Sequence, residues 1–305
     1  GTLFMYDTSS PHVLCAMVEK ITGQKMLAYL KDKLLRQIGF SEESYIIEDP
    51  FGTSMAGSGL RATPRDLFLT GCMLLKHRTD PYITRATNAQ TATLLDGENR
   101  WYGYQFWIPM EGMFAMMGLG SQLMIAVPAM DLVVVITADT QGMGGDDQLI
   151  LTAVREKLLL DTFTEETLDR KELPVLKPVY VGIHDDVSGR KYALRLNHYG
   201  FGWCSVTFDE EEKTGILSYE LKGKVCQLPF GIGHFEEGSF PVYKESCVAS
   251  AAWMDPHTLY ILCWLTGESV ASIRFRISFA KNELTVHMMK TEETKYNEYT
   301  GFLNS

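Results

Sequence analysis

The sequence has no long hydrophobic run and no excess of basic residues. Its longest apolar stretches, such as 132–136 and 149–151, are far shorter than the roughly 20 residues of a transmembrane helix. With 28 Lys and Arg against 38 Asp and Glu, the formal net charge is -10, which gives no basic footprint for phosphate groups. We therefore expect no membrane span and no nucleic-acid partner.

Clustered cysteine and histidine motifs are also absent. The 6 cysteines and 7 histidines are dispersed, and no CxxC, HExxH or HxH spacing occurs. We therefore expect no metal site and no cofactor. Several cysteines stand in apolar runs, which is typical of buried reduced thiols and favours a cytoplasmic location. An N-terminal signal is not assessable from a sequence that opens at Gly1.

The first part of the sequence is dominated by helical patterns. An apolar stripe begins after a helix start at Ser9-Ser10-Pro11 and stops at Gly23, and a second stripe runs over 26–39. We expect both stripes to pack in a core. A third helix is predicted after Thr63, where Asp66 completes a capping box. The first stripe comprises Val13, Leu14, Met17, Val18 and Ile21.

From residue 101 the pattern changes to that of strands. Large apolar residues alternate with smaller ones over 101–108, which predicts one half-buried strand. The runs 123–127 and 132–137, joined by a turn at 128–131, predict a hairpin. A final helix is expected over 146–160. Helices, antiparallel strands and a closing helix together indicate an α+β domain.

A charged, proline-containing stretch at 162–178 separates this region from one that is almost purely β. Apolar and polar residues alternate over 271–279 and continue at 284–288 beyond a Lys281-Asn282 turn, which predicts a hairpin with one buried face. We therefore predict two domains, 1–165 and 166–305, the second a β-barrel or strongly curved sheet. Similar runs occur at 190–197, 203–208, 213–220, 224–230, 247–253 and 258–264.

Three segments of the first domain together resemble the class C β-lactamase-related serine hydrolases, which include penicillin-recognising esterases, amidases and peptidases. The order and spacing of the segments carry the resemblance, which covers residues 1 to about 160. It implies a β-lactamase/transpeptidase-like domain. The segments are Tyr6-Asp7-Thr8 followed by Glu19-Lys20-Ile21-Thr22-Gly23, Gly57-Ser58-Gly59-Leu60 with Thr63-Pro64-Arg65-Asp66-Leu67, and Gly118-Leu119-Gly120-Ser121-Gln122 followed by Pro128 and Asp131.

The resemblance also implies roles for individual residues. In the family a serine of a Ser-x-x-Lys motif is activated by its lysine and by a tyrosine, and a backbone amide holds the oxyanion. Tyr6 matches that tyrosine, and Leu119, after Gly118, matches the residue that supplies the amide. The candidate catalytic residues are therefore Tyr6, Gly118 and Leu119. The candidate substrate-binding residues are Thr8, Met116, Met117 and Trp107.

The sequence departs from the family at its nucleophile. The Ser-x-x-Lys motif is expected upstream of Tyr6, whereas the two literal matches, 188–191 and 278–281, lie in a turn-like and a strand-like segment. No Gly-x-Ser-x-Gly elbow occurs either. We therefore expect a nucleophile upstream of this chain. We also expect the sheet edge left open to be covered by an N-terminal segment or by neighbouring copies in a homo-oligomer.

Two functions remain open. The first is a serine hydrolase that forms an acyl-enzyme with a small-molecule or peptide substrate. Because Met116 and Met117 stand where a cation and a hydroxyl are usual, an ester or an uncharged amide fits better than a substrate with a carboxylate. The alternative is an inactive family member that acts as a binding or scaffold protein. The second domain resembles the lipocalin-like domains appended to some members, which implies an accessory role.

Overall fold

A computed structural model describes residues 3–93, 101–141, 146–159, 175–180, 186–291 and 299–305. The chain divides into two compact units, residues 1–164 and 165–305. Unit 1 contains helices α1 (Ser9–Thr22), α2 (Met26–Lys33), α3 (Pro64–Lys76), α4 (Pro81–Ala86) and α5 (Asp146–Ala153). Its strands are β1 (Tyr45–Ile46), β2 (Leu60–Arg61), β3 (Thr91–Ala92), β4 (Trp101–Tyr102), β5 (Trp107–Ile108), β6 (Phe114–Gly118), β7 (Gln122–Val127) and β8 (Leu132–Ile136).

Helix α3 begins where the sequence predicts it. The Asp66 amide donates to the Thr63 hydroxyl at 3.2 Å, and the Thr63 amide donates to the Asp66 carboxylate at 2.9 Å, which completes the capping box. The same carboxylate accepts the Ser41 amide at 2.7 Å and the Ser44 hydroxyl at 2.9 Å. Asp66 is therefore a buried junction between α3 and the segment that precedes β1.

Helix α1 corrects two expectations. Its N-terminus is capped by the carboxylate of Asp7, which accepts the amides of Ser9 at 2.9 Å and Ser10 at 3.0 Å, and Pro11 lies two residues inside the helix. Gly23 ends the helix in the left-handed region, as the sequence predicts. The predicted core packing of the first stripe is wrong, because its largest members are exposed. They are Val13 at 58%, Leu14 at 53%, Met17 at 53% and Ile21 at 80%.

The opposite side of α1 carries the helix's contacts with the rest of unit 1. Cys15 is fully buried there. The Glu19 carboxylate accepts the Met26 amide at 2.9 Å and the Ser54 hydroxyl at 2.5 Å. Described residues therefore cover the side of α1 with Cys15 and Glu19 and leave its apolar stripe exposed. The second stripe packs as predicted, although α2 gives way to a 3₁₀ turn at Leu35–Ile38.

The sheet of unit 1 is an antiparallel meander with strand order β3-β4-β5-β6-β7-β8. The predicted single strand over 101–108 is instead two short strands, because Gln105 turns the chain with a φ of 64°. The predicted hairpin of β7 and β8 is present. Leu74 and Leu75 of α3 pack on one face of the sheet, and Leu151 of α5 packs on the other.

Unit 2 is built from strands, as the sequence predicts. They form a 10-stranded sheet in which all neighbours are antiparallel except β12 and β14. The strands are β9 (Lys191–Ala193), β10 (Phe201–Asp209), β11 (Thr214–Leu221), β12 (Lys224–Ile232), β13 (Glu236–Phe240), β14 (Glu245–Asp255), β15 (Thr258–Leu265), β16 (Ser272–Ala280), β17 (Glu283–Lys290) and β18 (Gly301–Asn304).

The sheet of unit 2 curls into a half-barrel around one core. Its end strands β9 and β18 do not pair as strands, and the Arg195 amide donates to the Asn304 carbonyl at 2.8 Å between them. The core holds the fully buried rings of Phe230, Phe240 and Tyr299. All six cysteines of the chain are free thiols. Within the described ranges, no helix is long and apolar enough to cross a membrane.

Candidate functional site

Tyr6 and Trp107, which are about 100 residues apart in the sequence, lie together. Their ring centroids are 5.2 Å apart with an interplanar angle of 31°. Tyr6 is 51% exposed, and its hydroxyl has no hydrogen-bond partner among the described residues. Trp107 is buried and pairs with Ala115 of β6. The phenol of Tyr6 is therefore held against the sheet by its ring, while its hydroxyl forms no hydrogen bond with the described residues.

Two further rings extend this contact into an aromatic wall. Tyr102 lies 5.0 Å from both Phe4 and Trp107, and 6.3 Å from Tyr6, measured between ring centroids. Burial, and then the nearby Tyr6, raise the pKa of Tyr102 to about 12. Tyr102 therefore stays protonated near neutral pH and acts as an apolar surface. We call the rings of Phe4, Tyr6, Tyr102 and Trp107 the aromatic wall.

Thr8 occupies the N-cap position of α1, but its hydroxyl caps no amide. The neighbouring Asp7 does so, and its carboxylate also accepts the Ser10 hydroxyl at 2.6 Å. The Ser10 hydroxyl, followed by the Ser9 amide, lowers the pKa of Asp7 to about 2. Asp7 was missed from the sequence, although an Asp two residues before a helix start is a capping signal. Its carboxylate is committed to the helix end and leaves Tyr6 as the available group of this segment.

The second segment lies directly against the first. A Cβ placed on Gly57 would be 2.7 Å from the Thr8 carbonyl oxygen and 3.0 Å from Pro11. Any side chain at residue 57 would therefore push the start of α1 away. This close approach explains why a glycine stands at that position, and it brings Tyr6-Asp7-Thr8 together with Gly57-Ser58-Gly59.

The third segment forms the tight turn between β6 and β7. Gly118 pairs with Gln122, and Gly120 and Ser121 both have positive φ, 72° and 67°. Leu119 at the tip is 54% exposed. On its β5 side, β6 pairs only at Ala115, so no strand of the described chain covers the backbone of Met116 to Gly118 on that side. The turn that carries Leu119 thus extends beyond the paired part of β5 and β6.

Ser121 holds this turn in place and was not predicted as a site residue. Its side chain is fully buried, and its hydroxyl lies 2.6 Å from that of Thr140. A left-handed conformation at a residue other than glycine is strained, and surrounding contacts have to maintain it. Thr140 also donates its amide to the Gly120 carbonyl, at 3.4 Å. The segment after β8 therefore fixes the turn that carries Leu119.

Met116 and Met117 lie on opposite faces of the sheet. Met117 packs in the same cluster as Phe4, Tyr102 and Trp107, whereas Met116 packs in the cluster formed with α3. The structure therefore brings Tyr6, Trp107 and Met117 to one face and places Met116 on the other.

Neither literal Ser-x-x-Lys sequence lies on a helix, as the sequence predicts. The Ser188 hydroxyl accepts the Phe208 amide at 3.1 Å in the loop before β9. Ser278 lies on β16, with its hydroxyl 3.2 Å from that of Thr258. Both belong to unit 2. Across the described ranges, no group of three or more His, Cys, Asp and Glu side chains is placed to hold a metal ion.

Comparison with protein-family models gives no match, and comparison with curated proteins gives none either. Among solved structures, the chain is similar to a protein assigned as a 6-aminohexanoate-dimer hydrolase of Bacillus anthracis, with a TM-score of 0.44 and 24% identity. That match covers 53% of this chain and 46% of the hydrolase, so the chain spans about half the length of that structure.

Two lipid-binding proteins are also similar to part of the chain. One is a fatty acid-binding protein from brain tissue of Drosophila melanogaster, with a TM-score of 0.30, 12% identity and coverage of 39% of this chain and 97% of that one. The other is lipid binding protein 8 of Caenorhabditis elegans, with a TM-score of 0.26, 12% identity and coverage of 33% and 65%.

Proposed function

We propose that unit 1 is part of a serine acyl hydrolase that acts through an acyl-enzyme on an ester or an amide. One observation carries the proposal. The first segment contacts the second, because Gly57 abuts Thr8, and Tyr6 packs on Trp107, whose strand pairs at Ala115 with β6, the strand that leads to the turn at Leu119. The free hydroxyl of Tyr6 and the exposed turn at Leu119 are the two groups that acyl transfer would use.

In this mechanism Tyr6 shuttles a proton and the Leu119 amide stabilises the oxyanion. The phenol relays the proton of an attacking serine to the leaving group, and a water then releases the acyl group. The described residues around Tyr6 are aromatic rings and include no serine hydrogen-bonded to it. The nucleophile of this proposal therefore comes from polypeptide outside the present sequence.

The same polypeptide would account for the exposed side of α1. Val13, Leu14, Met17 and Ile21 form an apolar face of the kind that other protein normally covers. We propose that an N-terminal segment carrying the nucleophile packs there. Size-exclusion chromatography with light scattering on the full-length protein tests this. A monomer in which α1 is protected from hydrogen exchange supports the packing of an N-terminal segment on this face. A dimer with the same protection instead indicates that a second copy of the protein covers it.

The lining of the site favours an uncharged substrate. The aromatic wall and Met117 present rings and a thioether, none of which carries a positive charge to pair with a carboxylate. Aromatic and aliphatic surfaces bind apolar acyl or leaving groups through burial of area. We therefore propose esters or amides with apolar groups, and we assign Trp107 and Met117 to substrate contact.

Labelling of the full-length protein with a fluorophosphonate probe tests the proposed activity. We expect covalent labelling, together with hydrolysis of p-nitrophenyl esters that Tyr6→Phe lowers by roughly 100-fold or more, the usual contribution of a general acid–base group. Tyr82→Phe is the matched control, because Tyr82 is also exposed, at 61%, and lies on α4 away from the aromatic wall. Absence of both labelling and turnover would contradict the proposal.

A second candidate is an inactive relative that binds a ligand or a partner. The side chains of Met116 and Met117 favour it, because neither can donate a proton or hold an anion, and Met116 is committed to core packing. If the full-length protein carries a helical Ser-x-x-Lys motif and is labelled by the fluorophosphonate probe, the hydrolase proposal is supported. If that motif is absent, the binding-protein proposal is supported, with unit 2 as the accessory domain.

A further inference from the structure

A cleft of about 350 Å³ opens at one end of the half-barrel of unit 2. It lies between the loop before β9 and the turns that follow β14 and β16. Its floor is apolar, since Val187 and Phe279 line it and each is 3% exposed. Its rim carries Arg190, His257 and Lys281. Clefts of a few hundred Å³ with an apolar floor and a few polar groups are the usual form of small-molecule sites.

Arg190 and Lys281 are the two permanently charged cations of this rim. No carboxylate in the described part of the protein forms an ion pair with Arg190 or Lys281. Asp186 is the single acid among the described residues that line the cleft, and it pairs with neither of them. In a chain of net charge -10, this local excess of positive charge departs from the overall bias. This positive charge favours the binding of an anionic ligand in the cleft.

The third rim residue is fixed by its backbone. The His257 amide donates to the Asp255 carboxylate at 2.8 Å, and the His257 carbonyl accepts the Phe279 amide at 2.8 Å. These two bonds join the turn after β14 to the end of β16. They also commit Asp255 to the turn, so its carboxylate does not occupy the cleft.

A buried hydroxyl behind the floor provides an independent observation. Tyr192 is 6% exposed, and its ring lies 6.0 Å from that of Phe279. Its hydroxyl is buried and has no hydrogen-bond partner within the described chain. Buried polar groups are normally paired, so a hydroxyl without a partner among the described residues, beside a cleft, is a group that a ligand could bind.

The interior of the half-barrel is not an alternative site. The cavity lined by Leu217, Tyr219 and Phe275 has a volume of about 10 Å³. That volume holds no more than one water molecule. This cavity therefore leaves no room for an organic ligand.

We propose that this cleft binds a small organic anion. The anionic group, a carboxylate or a phosphate monoester, lies between Arg190 and Lys281, and an apolar ring or short chain lies on Val187 and Phe279. Arginine pairs with both kinds of oxyanion through two parallel hydrogen bonds. The apolar floor supplies the affinity that a bare ion would lack.

Three probes with the same ring system test this inference on the full chain: 1-naphthoate, 1-naphthyl phosphate and the neutral 1-naphthamide. Affinity is measured by calorimetry, and the place of binding by methyl shifts in NMR spectra. We expect one or both anions to shift the methyls of Val187 and Ala280, and naphthamide to bind at least tenfold more weakly. The better of the two anions identifies the headgroup.

Charge-removing variants make the test specific. The double variant Arg190→Gln, Lys281→Gln should weaken anion binding at least tenfold. Its matched control, Lys224→Gln with Arg276→Gln, removes the same charge at the far end of β12 and on the middle of β16, and should leave affinity unchanged. Equal binding of naphthamide, an unaffected double variant, or shifts confined to the Leu217 region would overturn the proposal.

Discussion

The two units use apolar residues differently. In unit 2, alternating residues of the strands point into one continuous core, and fully buried side chains such as Leu259 and Ile261 are common. In unit 1, three smaller clusters share the core, and the apolar stripe of α1 stays exposed. An apolar pattern therefore specifies a buried face in both units, but in unit 1 the described residues do not supply the covering layer for α1.

Truncation of the unit 2 core gives the largest expected effect. Leu259→Ala should lower the free energy of unfolding by about 2–5 kcal/mol, because it leaves a cavity at a fully buried position. Its counterpart on α1, Leu14→Ala, removes the same atoms from a side chain that is 53% exposed. Urea unfolding of both variants measures the difference. Equal losses would remove the contrast between the two units.

Removal of the Asp66 carboxylate tests whether unit 1 depends on polar junctions. Asp66→Ala leaves the Ser41 and Thr63 amides without their acceptor, and we expect a loss of about 1–3 kcal/mol. Asp80→Ala removes the exposed cap of α4, and about 1 kcal/mol is expected. Hydrogen exchange of the backbone amides in α3 and in α4 measures the loss of stability in each helix separately. A smaller effect at Asp66 than at Asp80 contradicts the assignment.

The pH dependence of unit 1 follows from the same carboxylate. Burial opposes ionisation of Asp66, yet the hydrogen bonds from Ser41 and Thr63 outweigh it and lower the pKa. This stabilisation is fully present above the unfolded pKa of about 4 and is lost as the pH falls through the lower folded value. Urea midpoints of unit 1 should therefore decrease below about pH 4. Asp66→Asn should flatten that decrease, and an unchanged slope would refute this account.

A methyl group at Gly57 probes the contact between the first two segments. Gly57→Ala places its Cβ against the Thr8 carbonyl and Pro11, and overpacking of this kind costs about 1–3 kcal/mol. Exchange should increase at the start of α1 and not in unit 2. Gly118→Ala is the control, since its Cβ would meet only Gln122, at 3.3 Å and beyond. Equal hydrogen exchange at the start of α1 in both variants would argue against a tight contact between Gly57 and Thr8.

The smallest effect is expected on the exposed side of α1. Met17→Ala should change the stability of the isolated chain by less than about 0.5 kcal/mol, because little of its area is lost from a packed environment. Repeating the measurement on the full-length protein sharpens the comparison. A loss well above 1 kcal/mol there would show that additional protein covers the face, as the proposed function requires.

Much of the fold was predictable because it depends on local chemistry. The capping box at Thr63 and Asp66, the glycine that ends α1, and the strand alternation over 271–288 all lie within a few residues of sequence. The prediction of a single strand over 101–108 was wrong, because Gln105 adopts a positive φ in a turn that the alternation of apolar residues does not indicate. The meeting of Tyr6 with Trp107 and the strained Ser121 depend on contacts between distant segments.

By itself, the sequence determined most of the kinds of elements, their order, and the acidic net charge of -10. Hydrophobic periodicity and capping residues act over one or two turns, so they can be recognised without knowing which segments pack against them. Only the tertiary structure decided which apolar faces are covered and that Tyr6 packs on Trp107. Those outcomes depend on long-range packing, which no local pattern specifies.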